Sequence, residues 1–143
     1  MITEQLSQAL SIAATELDPV SQGAATVTSG GVDMSKFERV MFVVMVGAVT
    51  TGTVDAKLQE SATSGGTYTD ISGASITQIT TSNKIATLEI KATQLSAGKQ
   101  FVRLSLTVGT AATLIAVLPL AGEARQKPAS AQDIAAVTQR KVV

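Results

Sequence analysis

Residues Val40 to Val49 read Val-Met-Phe-Val-Val-Met-Val-Gly-Ala-Val, ten apolar residues in a row behind the charged pair Glu38-Arg39. Such a run is too short, by about half, to span a bilayer. It predicts a strand buried on both faces. In an antiparallel fold that is a central strand whose second face is also covered. The cover could be another sheet, a chain terminus or a neighbouring subunit. Glu38 and Arg39 act as charged gatekeepers for a segment that would otherwise aggregate.

The rest of the chain supports the same class. Val, Ile and Thr together supply 43 of 143 residues, and their branched side chains suit a pleated, half-buried surface. Short candidate strands recur between turns: 24–29, 38–49, 54–60, 67–71, 84–91, 101–108 and 113–118. Val54 to Glu60 and Phe101 to Val108 alternate apolar with polar, as half-exposed strands do. Gly65-Gly66 makes a hairpin turn, Gly73 is expected to break its returning strand, and Pro119 to stop the last one. The expectation is an all-β fold, an antiparallel β-sandwich of jelly-roll or Ig-like type. It divides into an N-terminal arm (1–23), a sandwich (24–122) and a C-terminal arm (123–143). The last arm is either a short helix carrying Ile134 and Val137, begun by the cap-like Ser130-Ala131-Gln132-Asp133, or a disordered tail.

Composition narrows the chemistry. The chain has no Cys, no His and no Trp. Thiolate chemistry, disulfides, histidine-based triads and His or Cys metal sites are therefore excluded. Eleven basic residues balance eleven acidic ones, which argues against general nucleic-acid or anionic-membrane binding. The acidic start, Met1 to Gln5, is unlike a signal peptide. Neither glycine pair has the spacing of a phosphate loop. The only catalytic route left is a carboxylate pair. Asp70 could approach Glu60 across the hairpin, while Asp55 and Glu60 fall on opposite faces of their strand. No calcium loop is present. High hydrophobicity with few charges points instead to a chain that buries surface against other chains. Charge is also uneven: residues 1–36 carry four acids and one base, and 123–143 two acids and four bases. The arms could pair between subunits.

Four stretches resemble a known group of proteins. They are the lead Asp33-Met34-Ser35-Lys36-Phe37 into the apolar strand, then Leu58-Gln59-Glu60-Ser61, then Gly65-Gly66-Thr67-Tyr68-Thr69-Asp70, then Phe101-Val102-Arg103-Leu104. Together they resemble small virion proteins of tailed bacteriophages that decorate, or cement, the head. The resemblance spans residues 24–118. It implies a β-sandwich subunit on the outer surface of the capsid, made in the host cytoplasm. Its implied partners are the major capsid protein and copies of itself, as a dimer or trimer, with no nucleic acid and no membrane. No catalytic residue, cofactor or metal comes with the resemblance. The arms would then reach over neighbouring subunits through Leu6, Leu10, Ile12, Ile134 and Val137, or else pack back on their own domain. The alternatives are a tail or fibre module, and a carbohydrate-binding or adhesion sandwich with Tyr68 as its aromatic platform.

Overall fold

The computed structural model describes residues 4–143. Met1 to Thr3, part of the expected N-terminal arm and of its acidic start, lie outside them. The chain folds into two antiparallel five-stranded sheets packed face to face. Sheet A holds β1 (Leu10–Ser11), β2 (Leu17–Gln22), β5 (Phe37–Val46), β8 (Lys84–Lys91) and β10 (Thr113–Ala124). Sheet B holds β3 (Ala25–Thr28), β4 (Val32–Asp33), β6 (Thr53–Ser61), β7 (Thr69–Ser75) and β9 (Phe101–Gly109). In sheet A, β1 and β2 share one side of β10, followed by β5 and β8. In sheet B, β3 and β4 share one side of β9, followed by β6 and β7. Counting each split edge once leaves eight positions, wound in the strand order of a jelly roll. The all-β sandwich expected from the sequence is thus the observed class, and the strand order selects the jelly roll over the Ig-like form.

Two expected stops do not stop their strands. Gly73 lies inside β7 with φ of 77°, where the β6–β7 register jumps between Lys57↔Ser75 and Gln59↔Asp70. The glycine absorbs an irregularity and the strand continues beyond it. Pro119 lies inside β10, which runs six residues past the expected end at Leu118 to Ala124. Leu114 exchanges backbone bonds with Gly47 and Ala48 on the β5 side. The unbroken β5 register then turns residues 115, 117, 119 and 121 toward the other side. There β2 ends its pairing at Val117 and β1 begins at Ala121. The N–H that proline lacks falls in that gap.

The N-terminal arm is also more ordered than its sequence announces, since residues 10–11 and 17–22 pair with β10. Where a short helix or a disordered tail was expected, the C-terminal arm makes a 3-10 turn, Ala129–Gln132, and a further turn closed by the Val137 N–H on the Ile134 carbonyl. No helix among the described residues is long and apolar enough to cross a membrane.

One core fills the space between the sheets. Sheet A contributes Val40, Phe42, Val44, Val46, Leu88, Ile90, Ile115 and Val117; sheet B contributes Val54, Leu58, Val102, Leu104, Leu106 and Val108. Phe42→Ala, at a fully buried site, should cost about 3–5 kcal/mol in denaturant unfolding. Gly73→Ala has open space for its methyl and should still cost about 1–2 kcal/mol, because the strain lies in the backbone.

Candidate functional site

The strand read as doubly buried is buried on one face only. Val40, Phe42, Val44 and Val46 are inside. Met41 and Val43 are half-buried on the other face, and Met45 is 49% exposed. Strand register extends this face across three strands in level rows. Ile85, Met45 and Ala116 form one row, Thr87, Val43 and Leu118 the next, and Glu89, Met41 and Leu120 the third. Ile85 is 67% exposed and Leu114, beyond the first row, 44%. No described residue covers them, because β5 and β10 carry apolar residues at both parities while the fold supplies one opposing sheet.

At one end the face dips into an open groove of about 540 Å³, whose lining includes Val20, Met45, Ile85 and Leu114, with Lys84 at its rim. At the other end it closes in a charged row. Arg39 donates to Glu123 at 2.9 Å and stands 3.8 Å from Glu89. The Glu123 hydrogen bond and its charge hold the guanidinium above its ordinary pKa.

The outer face of sheet B is polar and internally satisfied. Asp70 accepts from Lys57 at 2.6 Å and from Gln59 at 2.7 Å, and the Gln59 carbonyl accepts from Arg103 at 3.0 Å. Those two hydrogen bonds, and the Lys57 charge, hold the Asp70 carboxyl below the usual carboxylate range. Arg103 stacks over Tyr68 at 4.0 Å, so one face of the ring is already occupied. Gln78 donates to Asp55, and Thr26 pairs with Thr107. Glu60 is not among these groups. It points inward, is 4% exposed, and accepts from the Ser96 N–H at 3.0 Å. The two carboxyls that could have met, Glu60 and Asp70, lie on opposite faces of sheet B. Among the described residues, no three acidic side chains converge as metal ligands would.

The two arms meet each other. Asp133 accepts from the Ile12 N–H at 2.9 Å and the Ser11 hydroxyl at 3.1 Å. Arg140 grips Asp133 with two nitrogens and donates to the Ser7 carbonyl at 2.8 Å and the Leu10 carbonyl at 3.3 Å. The Ile134 N–H bonds the Ile12 carbonyl, and Lys127 bridges to Glu4 at 2.7 Å. Of the five residues singled out in the arms, Leu10, Ile12, Ile134 and Val137 are half-buried near this clasp. Leu6, on the four-residue helix α1 (Leu6–Ala9), is 74% exposed. The opposite charges of the two arms pair within one chain at Lys127–Glu4.

Sequence reasoning passed over Met45, Ile85, Leu114 and Leu118. The signal for Met45, Leu114 and Leu118 was the apolar parity of β5 and β10, and that for Ile85 its register opposite Met45. It also passed over the Asp133–Arg140 clasp, which has no signature beyond two charges seven residues apart. No family model and no curated protein matches the sequence.

Burial pushes the Asp133 carboxyl up, but its bonds from Arg140, Ile12 and Ser11, with the Arg140 charge, leave it below 3.8. A depressed folded pKa stabilises above the unfolded value and is lost as pH falls through the folded one. Cleavage by pepsin should therefore begin in the arms as pH falls below 3.8, before the sandwich opens. At neutral pH, Arg140→Ala should speed amide exchange at Ile12 and Ile134 by about tenfold. Amides of β5 and β9 should be unchanged.

Proposed function

We propose that this chain is a structural subunit of a tailed-phage particle, one that binds the outer surface of the head and stabilises it. One observation carries the reading. The jelly roll presents an uncovered apolar sheet face, while its acidic side chains are dispersed or already engaged. Exposed apolar surface on this scale marks an interaction site. The resemblance in residues 24–118 supplies the particle. Its motif residues serve the scaffold: Asp33 accepts from the Ser35 N–H, the Ser35 hydroxyl and Gln100, fixing the turn that delivers Phe37 into the core. Gln59, Tyr68, Asp70 and Arg103 knit β6, β7 and β9 together.

A cement subunit works by linkage. It binds the assembled shell and not its dissociated subunits, so shell stability rises with occupancy. Many copies on one lattice add modest affinities into a strong effect. The major capsid protein and further copies of this chain are the partners in this reading. No cofactor enters it.

The test is immunogold labelling of intact particles of the phage that encodes the chain, with thermal disruption of heads lacking and regaining it. Label spread over heads, and a higher disruption temperature on add-back, are expected. Label confined to tails would reassign the subunit to a tail or fibre. Particles without label, from lysates containing the protein, would overturn the structural reading.

A further inference from the structure

We draw no further inference here: the strongest candidate, the apolar outer face of sheet A with the open groove beside Met45, Ile85 and Leu114, carries none, because nothing in the structure shows what covers it.

Discussion

Val40, Phe42, Val44 and Val46 point from β5 into the gap between the sheets and share one core with Val54 and Leu58 of β6 and Leu104 and Leu106 of β9. Everything else in the fold is placed by that contact. β5 is a central strand flanked by β8 and β10, so fixing its inner parity fixes theirs through the register. Once the even positions of β5 are inside, Met41, Val43 and Met45 have to face out. The open apolar face is thus a geometric consequence of packing a strand that is apolar at both parities against one sheet.

The strand ladder was legible in the sequence because alternation and turn residues mark it locally. β6, β8 and β9 lie within a residue or two of their expected limits. What was illegible depended on long-range pairing. Pro119 reads as a stop until the gap between β1 and β2 is known to lie beside it. Gly73 reads as a break until β6 is known to run past an irregularity. Residues 10–22 read as an arm because β2, with Asp18 and Pro19, lacks apolar alternation. It is a strand only because β10 offers it an edge. The apolar run was read as buried on both faces, but local sequence cannot count the sheets available to cover them, and the chain supplies only one.

The motifs that carry the resemblance tell a related story. Asp33, Gln59, Tyr68, Asp70 and Arg103 are polar residues in and beside strands, a pattern that in isolation suggests chemistry. In the fold, their donors and acceptors are spent within the chain: Gln59 links Asp70 to Arg103, Asp33 takes Ser35 and Gln100, and the Tyr68 hydroxyl donates to the Ser64 carbonyl. Burial pushes the Asp33 carboxyl up, yet its bonds from Ser35 and Gln100 and the nearby Lys36 charge leave it below the usual range. That is what a carboxylate used as a fixed acceptor in a turn should show.

The molecule therefore joins two kinds of cohesion. The sandwich is held by apolar packing that must break as a unit, because its residues share one core. The arms are held to each other by a few charged hydrogen bonds centred on Arg140 and Asp133, each exchangeable with water at modest cost. Local opening follows such boundaries, so the arms can part while the sheets stay closed. Opening the clasp would release Ile12, Ile134 and Val137, and would loosen Leu10, which borders Met41 and Leu120 at the charged end of the outer face of sheet A. A rigid face suits a fixed, repeated contact, and a releasable pair of arms suits contacts that form only once neighbours are in place. Both properties follow from where the chain put its apolar residues and where it had only charges to use.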